Sequence, residues 1–336
     1  MVSLQTIQQS NKRIASLPPG LVALFIGATS GIGLGALQHL AQHAPPSSRI
    51  YSVARPSAAV AHEALLASLR RSRPDGTYTL ITADASLVSE IDEAVAAVTE
   101  KEEHHRETKL DILFLSAGFM AFEGRIDTSE GLDPSMSTRY YARLRAVQLL
   151  LPLLDRAPSP RVVSVLAGGL EAPLNEEDLD LRGPGAWSTW GSSVQAATMC
   201  TLALEVLARE NPRLSAVHWL PGVVETPGLA RLRTFGKEFA NPKTQEEAGA
   251  VGLFLATSDR YAVPGGGSLV PVPEGLDVAE RSGGGIFLVD PEGETADSEK
   301  VLVGMRERGV DKAVWEFTRK LFADCVGQAG SNKGGL

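Results

Sequence analysis

Short unbroken apolar runs recur along the chain, separated by longer stretches in which apolar residues return every three or four positions. The runs fall near 21–27, 48–54, 77–83, 110–116, 160–166, 213–220 and 284–289; LDILFLSAG and RVVSVLAGG are representative. Continuous Val, Ile and Leu without polar alternation is the pattern of parallel strands covered on both faces. The periodic stretches predict helices near 32–43, 57–72, 86–105, 132–155, 190–210 and 244–258, with two more near 297–308 and 311–325. Strand and helix in alternation predict βαβ units and one α/β domain: a seven-stranded, mainly parallel, doubly wound sheet flanked by helices.

The pattern also sets the boundaries. Leu4, Ile7, Ile14 and Leu17 predict an amphipathic N-terminal extension over 1–20, packed on the main domain of 21–325. Within that domain, 226–284 reads as a substrate loop plus an insertion, of which 262–284, VPGGGSLVPVPEGLDVAERSGGG, is rich in Gly and Pro. Residues 326–336, ending SNKGGL, read as a flexible tail.

Composition removes several classes of function. With 336 residues, 43% of them hydrophobic, the chain can bury a large core. A formal net charge of -8 argues against sequence-independent binding to nucleic acid or anionic lipid. Cys200 and Cys325 make no disulfide framework, and no apolar stretch reaches the roughly 18–20 residues needed to span a bilayer. A cytoplasmic protein acting on a small molecule is expected. His39 and His43 share a helix face but lack a third ligand, so no metal site is expected.

The chemistry concentrates at GATSGIG, residues 27–33, which follows a buried run and opens a helix. Glycines in that context let the backbone turn tightly against a pyrophosphate seated on the helix N-terminus. Here the sequence resembles the short-chain dehydrogenase/reductase family, whose glycine motif is GxxxGxG, and the resemblance runs from about residue 20 to 325. It implies a Rossmann-type fold and a nicotinamide dinucleotide. Gly27, Gly31 and Gly33 match the motif, with Thr29, Ser30 and Ile32 between them. Asp84, followed by Ala85, matches the acidic residue that contacts adenine; Ser116, Ala117 and Gly118 stand for the family's NAG. LPGVVETP supplies Pro221, Gly222, Val224 and Thr226, the last placed to meet the nicotinamide carboxamide. Arg55 closes the second strand where an acidic residue would bind the ribose of NAD, and an arginine there suits the 2′-phosphate of NADP.

The family's usual proton donor is missing. Its members reduce carbonyls with asparagine, serine, and a tyrosine followed four residues later by lysine. Hydride arriving at carbonyl carbon needs a proton delivered to oxygen, and a nearby cation tunes the tyrosine for that task. No tyrosine here has lysine at the fourth position onward; the four places align with Arg139, Ala167, Trp190 and Val194. Indole is a donor but a very poor acid, and valine carries no charge. Val194 also removes the lysine that would hold the nicotinamide ribose, which implies an NADP weakly bound or lost. The candidate catalytic groups left are Arg139, which can hold an anionic substrate, Tyr140 beside it, and Glu171 at the strand end. Tyr140 and Tyr141 also suit packing, and His218 suits a satisfied core position.

Three readings follow: an atypical NADP-dependent oxidoreductase, a redox-silent cyclase, isomerase or lyase of the same fold, and a non-catalytic nucleotide-binding or scaffold protein. A homodimer is the expected assembly, because the helix over 190–210 carries more apolar residues than one core-facing stripe needs.

Overall fold

Residues 2–333 are described by a computed structural model. The chain opens with α1 (Leu4–Lys12), continued by a 3₁₀ turn over Arg13–Ser16, and enters the sheet through β1 (Val22–Ile26). There follow α2 (Gly31–His43), β2 (Arg49–Ala54), α3 (Pro56–Ser72), β3 (Thr77–Thr82), α4 (Val88–Glu103) and β4 (Ile112–Leu115). The long helix expected at 132–155 is built in three consecutive pieces. These are one turn, α5 (Pro134–Met136), a π-helical stretch over Ser137–Tyr141, and α6 (Ala142–Leu154). Then come β5 (Arg161–Val165), α7 (Thr189–Glu210), β6 (Ser215–Trp219), α8 (Pro227–Thr234), α9 (Gln245–Thr257), β7 (Phe287–Val289), α10 (Glu299–Glu307) and α11 (Val310–Lys333).

The sheet runs β3-β2-β1-β4-β5-β6-β7, and every strand pair is parallel. Alternate residues of β1 serve the two layers. Val22, Leu24 and Ile26 pack with residues of α4, α6, α7 and α11, whereas Ala23 and Phe25 pack with α1, α2 and α9. With both faces covered, neither set of alternate β1 residues meets solvent, which is why this strand reads as an unbroken apolar run. Strand order reverses between β1 and β4, so a crevice opens there at the carboxyl ends of the strands. The height of α2 under that crevice is set by its crossing with α9. A Cβ on Gly35 would lie 2.4 Å from the Gln245 carbonyl oxygen, and one on Gly249 would lie 2.3 Å from Gly35 carbonyl carbon.

The N-terminal extension docks as its apolar positions require: Ile7 and Ile14 are buried, and Asn11 Nδ2 donates to the Ala250 carbonyl at 2.9 Å. Residues 262–284 are irregular and pinned by backbone bonds, Gly267 to Pro158 and Ala279 to Arg260. Two features differ from expectation. The chain after Thr226 forms α8, with Thr226 capping it from the side chain to the Leu229 amide and Pro227 in the first turn. Residues 326–333, read as tail, continue α11; residues 334–336 lie outside the described residues.

The surplus apolar surface of α7 is covered from within the chain. Helix α11 lies against α7 and α4, burying Val314, Trp315 and Phe322, with Tyr140 and Thr318 hydroxyls bonded at 2.6 Å. Among the described residues no helix is long and apolar enough to cross a membrane.

Candidate active site

The crevice floor is the GATSGIG turn. Gly27 has φ of +102°, and a Cβ there would lie 2.1 Å from the Ala117 amide nitrogen. A Cβ on Gly33 would lie 2.2 Å from Ser116 Oγ. The turn therefore nests against the end of β4, and Ser116 Oγ donates to the Gly27 carbonyl at 3.1 Å. Ser116 takes up the tying role at the place where the family carries asparagine. Ser30 precedes α2 without capping it through its side chain, so the first-turn amides are left for an incoming group. Thr29 and Ile32 are half-buried on the same turn.

Around this floor sit the other residues marked from sequence. Arg55 is exposed at the end of β2, and its guanidinium bonds to none of the described residues. Asp84 receives the Ser86 amide at 2.9 Å on one carboxylate oxygen, and Ala85 packs against the core beneath. A Cβ on Gly118 would meet open space. Opposite, Pro221 is buried, Gly222 turns with φ of +73°, and Val224 pairs with Lys243 in a parallel bridge that clips the base of the excursion carrying α8. Thr226 reaches across to the glycine turn, where a Cβ on Gly31 would lie 3.0 Å from its Cγ2. The glycine cradle, uncapped helix amides and free Arg55 suit a nicotinamide dinucleotide carrying a 2′-phosphate.

The four positions aligned from sequence with the family's tetrad divide in two. Trp190 and Val194 are 51% and 39% exposed, one turn apart on α7. Arg139 is buried in the π-helical stretch and donates to Ser193 Oγ on that same face of α7. Ala167 begins the turn after β5, its amide donating to His218 Nε2 at 3.2 Å.

Two candidate catalytic groups do not face the crevice. Tyr140 is fully buried, and desolvation raises its hydroxyl far above the ordinary tyrosine value. Glu171 is buried and turned inward, accepting from the Gly169 amide at 2.9 Å and from Thr201 Oγ1 at 2.6 Å. Thr201 in turn meets His218 Nδ1 at 2.7 Å. Because Nε2 accepts from Ala167, His218 is neutral with its proton on Nδ1. Burial and the Arg143 cation push its pKa down to about 3, despite Glu171 at 3.6 Å. This chain of bonds holds the 167–171 turn in place. The acidic run beyond it is only partly a solvated surface, since Asp180 is buried and binds Tyr141, Arg125 and Arg182.

Sequence reading missed Arg143. It is fully engaged beneath the site, donating to Thr138 and Ala117 carbonyls, Ser164 Oγ and the Val165 carbonyl, so it ties the ends of β4 and β5 together. The aromatic mouth was missed as well. Phe122 and Phe235 stack with centroids 4.2 Å apart, and Arg231 lies over Phe119 and Phe122.

With this geometry in hand, the profile described as short chain dehydrogenase matches residues 21–234. The chain belongs to the short-chain dehydrogenase family. It is 64% identical to the NmrA-like family domain-containing oxidoreductase notO of Aspergillus sp. (strain MF297-2), over 97% of this chain and 96% of that protein. Oxidoreductase AN1596 of Emericella nidulans is 34% identical over 97% of this chain and 99% of its own length. Among solved structures, the fold is similar to NADPH-bound carbonyl reductase from chicken fatty liver: TM-score 0.54, 21% identity, 84% of this chain and 100% of that one.

Proposed function

We propose that the protein is an NADP-dependent oxidoreductase acting on a small organic molecule whose reduction needs no protonated tyrosine. The observation carrying this reading is a division within one crevice. The tight glycine turn at Gly27 and Gly33 and the unpaired Arg55 fit a dinucleotide, while exposed Trp190 and Val194 occupy the positions that the resemblance aligns with the proton donor and its lysine. Bound there, the cofactor would supply hydride. The chain's part is to hold its phosphates on the first turn of α2, meet a 2′-phosphate with Arg55, and present an apolar wall from α7. Acceptors suited to such a wall are iminium ions, which consume no proton on reduction, and conjugated systems protonated afterwards by water. That notO and AN1596 are both described as oxidoreductases supports the class of reaction.

Calorimetric titration tests the reading. NADPH is expected to bind at least about tenfold more tightly than NADH, and Arg55→Ala to erase most of that difference, a loss of about 1–2 kcal/mol. Simple ketones and aldehydes are expected to give negligible NADPH oxidation, and cyclic iminium ions to be turned over. Equal affinity for the two cofactors removes the role of Arg55. Absence of binding to either moves the protein to the redox-silent class.

A further inference from the structure

Arg139 is 5% exposed, yet no carboxylate lies within ion-pair distance of it among the described residues. Its one hydrogen bond goes to Ser193 Oγ, leaving Nε and Nη2 without an acceptor. Those donors are absent from the sealed, unsatisfied atoms of the core, so they touch solvent. Burial and the neighbouring Arg143 cation pull the Arg139 pKa down to about 10, which still leaves it charged at neutral pH. Asp133 is the opposing charge that acts on it, from beyond ion-pair reach; one of its carboxylate oxygens has no partner. Other arginines around the crevice are spent or distant in role. Arg143 uses its guanidinium on four acceptors, Arg231 lies on two aromatic rings, and Arg55 sits at the β2 end.

A buried cation without a counter-ion costs stability, and chains keep such groups where a ligand completes them. The ligand's chemistry is set by what surrounds the free edge. Ser193, Trp190 and Val194 share one face of α7 by their spacing of three and four residues, so the guanidinium borders an exposed apolar strip. Resting on the reading of this crevice as the substrate pocket, we infer that Arg139 binds an oxyanion of the substrate, a carboxylate or enolate oxygen, carried on a flat apolar body that packs on Trp190 and Val194. The free Nε and Nη2 edge of one planar guanidinium matches two oxygens or two lone pairs of such a group.

The probes are 2-naphthoate and its neutral isostere 2-naphthamide, titrated calorimetrically with saturating NADP⁺ present and again without it. Wild type is expected to hold the carboxylate at least about tenfold more tightly than the amide, and Arg139→Met to bring the two within about twofold. Arg139→Lys keeps part of the preference. Thermal melting separates binding from scaffolding: Arg139→Met is expected to melt at or above the wild-type temperature, since an unpaired buried charge is removed. Equal wild-type affinity for the two probes overturns the inference, and so does an Arg139→Met variant that melts several degrees lower. Displacement of naphthoate by NADP⁺ also overturns it, by assigning the site to the cofactor. A carboxylate preference that persists in a protein failing to bind NADP⁺ upholds the inference and rejects the cofactor reading alone.

Discussion

His218 is fully buried and accepts an amide hydrogen on Nε2, so its protonated form has no place in the folded chain. Its folded pKa, about 3, lies far below the ordinary value near 6.5. Above that ordinary value neither state binds the proton and the interaction is fully present. As pH falls below it, the unfolded chain takes the proton first, and stability declines toward the folded pKa. Melting temperature is therefore expected to fall between pH 6.5 and 5, and His218→Gln to flatten that slope while lowering the melting temperature at pH 7. Part of the slope remains in the variant, because burial also lowers the pKa of His62 and His43. An unchanged slope in the variant counts against this account. The same scale explains what could be read from sequence. Gly27 and Gly33 are legible because a backbone collision, with the Ala117 amide nitrogen at 2.1 Å for one and the Gly27 carbonyl oxygen at 2.6 Å for the other, leaves no room for a Cβ. Glu171 and Tyr140 are not, since either direction of their side chains satisfies the local chain and only distant Thr201 and Thr318 decide it.

Strands and long helices follow the apolar pattern closely, because a sheet covered on both faces leaves no position along β1 or β4 for a polar residue to show. Helix α8 is hard to read because eight residues, three of them charged or polar (Arg231, Arg233 and Thr234), give little periodicity; the Thr226–Pro227 pair is its one local sign. The π-helical stretch over Ser137–Tyr141 is equally silent in sequence. It adds a residue to the turn, so faces assigned by 3.6-residue spacing slip across it. That slip puts Arg139 beside α7 and Tyr140 in the core. The apolar pattern predicts helix α11, but not what it covers. Phe322 is buried there, edge-on to Trp315, with the Arg145 guanidinium 5.3 Å from its ring centre. Phe322→Ala is expected to cost about 3–5 kcal/mol in urea unfolding, and a loss under 1 kcal/mol means that α11 is a loosely held strap.

For the whole molecule, α11 occupies the face that the apolar excess of α7 offered to a second chain. Two arginines of the preceding helix, α6, are used internally: Arg143 under the site, and Arg145 on Asp92 at 2.6 Å. Glu205 is taken by Arg306 at 3.0 Å. Light scattering is expected to give a mass near 35.6 kDa at micromolar concentration, and twice that value restores the dimer. The covering helix also bears on synthesis. It packs against α4, whose residues precede it by more than two hundred positions, and it leaves the ribosome after every other described element. Until then Met199, Leu202 and Val206 belong to a core missing one wall. Contacts so distant along the chain close slowly, and open apolar surface invites association in the meantime. A nascent chain halted before residue 310 would hold an assembled nucleotide crevice and an unsealed back, making it a client for chaperones before it is an enzyme.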